Sequence, residues 1–96
     1  MIEKKIRERD IEAYLVKRVK AMGGEVRKVK WIGRRGAPDR ILMLKRKPLV
    51  WCLWVELKAP GVPPEPHQLR EHERMRKMGQ RVVVIDSFQL VDEVLQ

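Results

Sequence analysis

One uncharged run constrains this chain more than any other feature. Although 36% of the 96 residues are Asp, Glu, Lys or Arg, Leu49–Val55 reads LVWCLWV without a charge. Val and Trp at this density suit a strand, and the run is far shorter than the roughly 20 apolar residues that span a bilayer. Glu56, Leu57 and Lys58 follow directly, and then Ala-Pro-Gly. A strand can end in charges for solubility, or it can carry them into a site.

The neighbouring segments supply the context. Ile11, Leu15, Val19 and Met22 form one apolar stripe of a helix expected over 3–22 and stopped by Gly23-Gly24. Glu8 projects into that stripe and Glu12 lies on its edge, so each needs a partner. A loose alternation over 25–31 reads as a strand, followed by an irregular basic loop, IGRRGAPDR. Strands over 39–44 and 49–58 flank the polar turn Lys45–Pro48 and make a hairpin. A proline-rich loop leads to a helix over 68–78, a strand over 81–85, and a final helix capped by Ser87. The expected fold is α/β, a mixed sheet flanked by helices in a single domain spanning 1–96.

Composition narrows the partners. A net charge of +9 favours a polyanion, nucleic acid first, although Lys and Arg also serve solubility. The charged N-terminus, MIEKKIRERDIE, is unlike a signal or transit peptide, and no segment suits a membrane. The lone Cys52 cannot form an internal disulfide and fits a reducing, cytoplasmic setting; in its apolar strand it is assigned to the core. Cys52, His67 and His72 are too few and badly spaced for zinc.

If the hairpin turns near Lys47-Pro48, residues whose numbers sum to about 95 face each other, which sets Asp39 opposite Glu56. Glu56 and Lys58 share a face. Two carboxylates this close repel unless a cation lies between them. Mg²⁺ suits that position, since it takes one or two carboxylates and keeps its other places for water and phosphate. A lysine alongside can orient or help deprotonate an attacking water. The bland reading of Glu56 and Lys58, a surface pair ending a strand, leaves Asp39 unexplained.

These residues resemble a family. Pro38-Asp39 followed by Glu56-Leu57-Lys58 is similar to the PD-(D/E)xK pattern of metal-dependent nucleases. Helix, three strands, helix and strand resemble that superfamily's restriction-endonuclease-like αβββαβ core, here with an extra C-terminal helix. Gly23-Gly24, RRGAPDR, VELKAPG, Gln68 and MGQRVVVIDS resemble the virus-type replication-repair nuclease domain, VRR-NUC, over nearly the whole chain. The resemblance implies Asp39, Glu56 and the Leu57 backbone carbonyl as ligands of Mg²⁺ or Mn²⁺, with Lys58 as the catalytic lysine. It implies Gln68 as a support near Lys58, and a first-helix glutamate acting directly or through water. Glu8 and Glu12 compete for that place; Glu8 is preferred because it precedes Ile11 by three, as in the family's opening helix, and points inward. It further implies cleavage of DNA, at Holliday junctions or other branches, leaving a 5′-phosphate. A homodimer and a phage or bacterial source are part of the same implication.

Arg34, Arg35 and Arg40 flank Asp39 and are assigned to the DNA backbone, with Lys28 and Lys30 as weaker candidates; charge balance is their alternative. Trp31, Trp51 and Trp54 could stack on unpaired bases, against the plainer alternatives of core or dimer contact. A non-catalytic DNA-binding or assembly module of the same fold is the competing function. A sequence-reading restriction enzyme would need a recognition insert, for which the chain is too short.

Overall fold

A computed structural model describes residues 5–46 and 49–96. The elements are α1 (Glu8–Ala21), β1 (Glu25–Lys28), β2 (Arg40–Arg46), β3 (Leu49–Leu57), α2 (Pro66–Lys77), β4 (Val82–Ile85) and α3 (Phe88–Val94). They form one sheet in the order β1-β2-β3-β4, antiparallel at the first two pairings and parallel between β3 and β4. The expected mixed α/β architecture is therefore present, with α2 as the crossover that parallel pairing requires.

Alternation along β3 divides the work of the molecule. Leu53, Val55 and Leu57 point to one face and join Leu42, Leu44 and Ile85 in the core. Ile11, Leu15 and Val19 of α1, with Val91 and Leu95 near the C-terminus, close that core from above. Cys52, Trp54 and Glu56 point to the opposite face. There α2 inserts Glu71, His72 and Met75, all buried, beneath one end of the sheet.

Several boundaries differ from the sequence reading. α1 begins at Glu8, not Glu3, where the Asp10 carboxylate accepts from the Arg7 backbone N–H at 2.8 Å; residues 3 and 4 lie outside the described residues. β1 stops at Lys28 because the chain there leaves the ladder for the basic loop. β2 continues through Lys45 and Arg46, so only Lys47-Pro48 of the expected turn falls between the strands, outside the described residues. α2 starts two residues early, with Pro66 in the first turn, where its missing N–H costs nothing. Cys52 is exposed rather than in the core, since it lies on the face away from the core and well before Glu56, where His72 of α2 meets β3.

Gly23 and Gly24 have separate reasons to be glycine. Gly23 takes φ +81° beyond the end of α1, and its N–H bonds to Lys20 O while that of Gly24 bonds to Val19 O, a Schellman closure. A Cβ on Gly24 would come within 2.6 Å of the Met43 carbonyl, so the close approach of α1 to β2 depends on its absence.

Candidate active site

The hairpin register is the one that sums to 95. Arg40 pairs with Val55 and Ile41 with Trp54, so the next step along the chain sets Asp39 beside Glu56. Asp39 lies one residue ahead of β2, and its carbonyl accepts from Val29 N–H at 2.9 Å. The preceding loop is seated by Gly36, whose φ is +85° and whose Cβ would meet His67 O at 2.8 Å. Only glycine fits both demands, so GAPDR docks against the start of α2 and delivers Asp39 to the strand end. The buried Pro38 adds a further anchor, its carbonyl accepting from Trp31 Nε1 at 2.8 Å.

Glu56 is 7% exposed. Burial pushes its carboxyl up to about 7; Lys58 works against the rise, Asp39 and Glu8 add to it, and Arg40 opposes it. Glu8, Asp39 and Lys58 are thus brought within electrostatic reach of one buried acid. The partner of that acid is His72, fully buried on α2, with Nε2 at 3.2 Å from Glu56 Oε1. Burial lowers the pKa of His72, with Arg76 adding, so the neutral ring is favoured. Its Nδ1 is buried without a hydrogen-bond partner. An unpaired acceptor there is cheaper than an unpaired N–H, which favours the tautomer whose Nε2–H donates to Glu56.

The two helix-one glutamates are separated by what they touch. Glu12 accepts from Arg40 Nε at 2.7 Å and pairs with its guanidinium again through Nη2. Glu8 is the one whose charge reaches Glu56. It does not point into the core, however: it is exposed, because the first turn of α1 lies beyond the last apolar residue of the stripe. Arg40, 12% exposed at its side chain, bridges Glu12 and Asp39, the latter at 2.9 Å. Its place is between two carboxylates rather than on an open basic surface.

Gln68 lies in the first turn of α2, half-buried, and its Oε1 accepts from the Glu65 backbone N–H at 2.7 Å. Among the described residues its hydrogen bonding closes a helix end and does not reach Lys58. Lys28, Lys30 and Arg35 are exposed. Lys28, Lys30, Arg34 and Asp39 border a groove of about 600 Å³ that runs up to the acidic cluster. Arg34 donates through Nε to Glu71 at 2.9 Å.

Two buried residues were not singled out from sequence as parts of the site, Glu71 and His72. Glu71, 3% exposed, accepts from both Arg34 and Arg74 at 2.9 Å and ties the basic loop to α2. The hydrogen bond from Arg34, with Arg74 adding, holds its carboxyl below the usual range. The available signal was spacing: on a helix starting at Pro66, positions 68, 71, 72 and 75 share one face.

The donor set admits a hard divalent cation. Among the described residues no three His, Cys, Asp or Glu side chains stand close enough to cage a metal on their own. The set fits an ion that takes one or two carboxylates and completes its shell with water and phosphate. An acid raised chiefly by burial, with Asp39 and Glu8 adding, is also a place where a cation relieves both the lost solvation and the repulsion.

Comparison with known proteins follows the same line. No family model matches the chain. A protein of Acyrthosiphon pisum secondary endosymbiont phage 1, "Putative nuclease p44", is 46% identical over 85 residues, covering 88% of each chain. A solved structure described as "VRR_NUC domain" is 43% identical and superposes with a TM-score of 0.76 over 92% of each chain.

Proposed function

The chain belongs to the VRR-NUC family of nucleases, and on that premise we propose that it is a metal-dependent endonuclease of branched DNA. The observation that carries this reading is a buried acid, Glu56, with Asp39, Glu8 and Lys58 all close enough to act on its charge. A surface ion pair would explain Glu56 and Lys58 but not the additional carboxylates gathered around them.

Asp39, Glu56 and the Leu57 carbonyl would hold Mg²⁺ or Mn²⁺, with Glu8 reaching it directly or through water. Glu12 is the less suitable choice because Arg40 already occupies it. The bound cation would polarise the scissile phosphate and stabilise the charge that develops on it. Lys58 orients the attacking water and favours its deprotonation. His72 holds Glu56 in one rotamer by hydrogen bonding to one carboxylate oxygen, which leaves the other oxygen for the ligand sphere. Arg40 fixes Asp39 from the opposite side. Water oxygen attacks phosphorus, the P–O3′ bond breaks, and a 5′-phosphate and a 3′-hydroxyl result.

The groove bordered by Lys28, Lys30 and Arg34 supplies backbone contacts leading to Asp39, and Arg35 extends the basic surface. Four-way junctions and related branches are the proposed substrates, because two opposed sites of a homodimer match a two-fold symmetric junction. The test is a cleavage assay on labelled four-way junction, flap, linear duplex and single strand. Each is run with Mg²⁺, Mn²⁺ or EDTA, beside Lys58→Ala. Metal-dependent cutting of branched DNA that Lys58→Ala abolishes is the expected result. Binding without cutting under any metal would overturn the catalytic reading in favour of an assembly module.

A further inference from the structure

Next to the acidic cluster, on the same face of the sheet, lies a pocket of about 380 Å³ that shares Trp31 and Arg34 with the basic groove and is otherwise separate from it. Its floor is the pair Trp31 and Trp54, with ring centroids 5.1 Å apart and planes inclined at 48°. Both indoles have their N–H groups engaged, Trp31 to Pro38 O and Trp54 to Gln80 Oε1 at 2.9 Å, so what they offer an occupant is aromatic surface rather than a hydrogen-bond donor. Arg34, Arg74 and Lys77 stand on the rim. Glu71 grips both arginines through Nε, which fixes the direction of the guanidinium groups. Met78, 79% exposed, completes the lining on the solvent side.

We infer that this pocket takes one unpaired nucleobase of the nucleic acid substrate, stacked on the Trp31–Trp54 floor with its flanking phosphates on Arg34, Arg74 and Lys77. The inference rests on the nuclease reading for its substrate class. Three observations select this occupant. The volume falls in the ~300–1,000 Å³ range of small-molecule sites. An aromatic floor under a cationic rim is complementary to a flat base attached to phosphates. Position is the third: Trp54 precedes Glu56 by two residues on the same face, one pleat or about 7 Å away, and Trp31 bonds the residue immediately before Asp39. A base seated here belongs to a nucleotide adjoining the phosphate that Asp39 and Glu56 would address. A second copy of this chain fits less well, because an isologous contact would set Arg34, Arg74 and Lys77 against their own equivalents.

The test is an abasic scan on the unmodified protein. A flap substrate carries one abasic residue at successive positions through the branch, which includes any cleavage point, and affinity is read in EDTA by fluorescence anisotropy. A single position within two nucleotides of the cut should weaken binding roughly 10- to 100-fold. Tryptophan fluorescence should be quenched by the intact flap and not by the flap abasic at that position. In Trp54→Leu, which keeps apolar volume, the positional effect should vanish while metal-dependent cutting persists at a shifted or blurred site. Lys77→Glu, at an exposed position, should weaken binding of intact and abasic flaps alike, a readout that does not depend on how well Trp54→Leu folds. Metal-dependent cutting combined with a flat scan and no quenching overturns the pocket and leaves the nuclease reading standing. A positional effect without cutting under any metal supports the pocket and sinks the nuclease reading instead. A concentration-dependent mass that Trp54→Leu abolishes, with a flat scan, assigns the surface to a second copy and overturns the proposal.

Discussion

Replacing Glu56 by Gln should stabilise the metal-free protein and abolish its activity at the same time. Burial and the neighbouring carboxylates raise the Glu56 pKa from 4.5 to about 7. Each pH unit of displacement is worth about 1.36 kcal/mol, so ionising Glu56 in the folded state costs about 3 kcal/mol relative to the unfolded chain. The folded pKa lies above the unfolded one, so stability is fully present below about pH 4.5 and lost as pH rises through about 7. In a domain of this size 1 kcal/mol moves Tm by about 4–8 °C, and the loss amounts to roughly 12–24 °C. The amide introduced by Glu56→Gln cannot ionise, so the variant would escape that loss.

The assay is thermal unfolding followed by circular dichroism in EDTA, from about pH 5 to about pH 8.5. The difference in Tm between Glu56→Gln and the parent should be small at the acid end and grow in favour of the variant as pH rises. His72 tilts both curves the other way, since its folded pKa is depressed and it loses stability as pH falls below about 6.5. Because His72 bonds Glu56 directly, that tilt differs between the two proteins at the acid end, so the comparison is read above about pH 6.5, where His72 is neutral in both states. Millimolar Mg²⁺ should raise the Tm of the parent at alkaline pH and leave Glu56→Gln almost unmoved. A difference that stays constant with pH, or a parent whose Tm ignores Mg²⁺, would refute both the buried-acid argument and the cation site built on it.

Other substitutions probe the supports of the cluster. Gly36→Ala meets a carbonyl at 2.8 Å and an unfavourable φ, so a loss of about 1–3 kcal/mol in denaturant unfolding and a steep fall in cleavage are expected. Arg40→Met removes the bridge between Glu12 and Asp39; partial exposure of both acids limits the cost to about 1 kcal/mol, while cleavage should fall by much more. Affinity for DNA, measured in EDTA, should drop steeply with added salt, and Arg35→Ala should reduce the slope of log K against log salt by about 1.

Local chemistry made the candidate cluster legible and long-range packing hid the residues around it. The Asp39–Glu56 register could be read because a short turn fixes the pairing of two strands by arithmetic, and β2 and β3 follow it. The inward reading of Glu8 came from its angle around the helix. That angle was sound, but angle says nothing of how far a core extends along the axis, and Glu8 lies past its end. Cys52 was misplaced for a related reason: an uncharged run does not reveal which half of a sheet face a later helix will cover. Glu71 and His72 read as ordinary residues of a charged helix because their burial follows from where α2 docks. Gln68 stood out in the sequence, and the structure places its side chain at a helix cap.

The alternation along β3 also separates two kinds of change that a small enzyme must reconcile. Leu53, Val55 and Leu57 pack into the core, while Trp54 and Glu56 face the other way, with Lys58 close enough to act on the Glu56 charge. Substitutions at the odd positions should be felt through the core alone, whereas a change at Glu56 should be felt both in stability and in the chemistry of the opposite face. One strand thus offers two sets of side chains that answer to different tests, read on alternate residues.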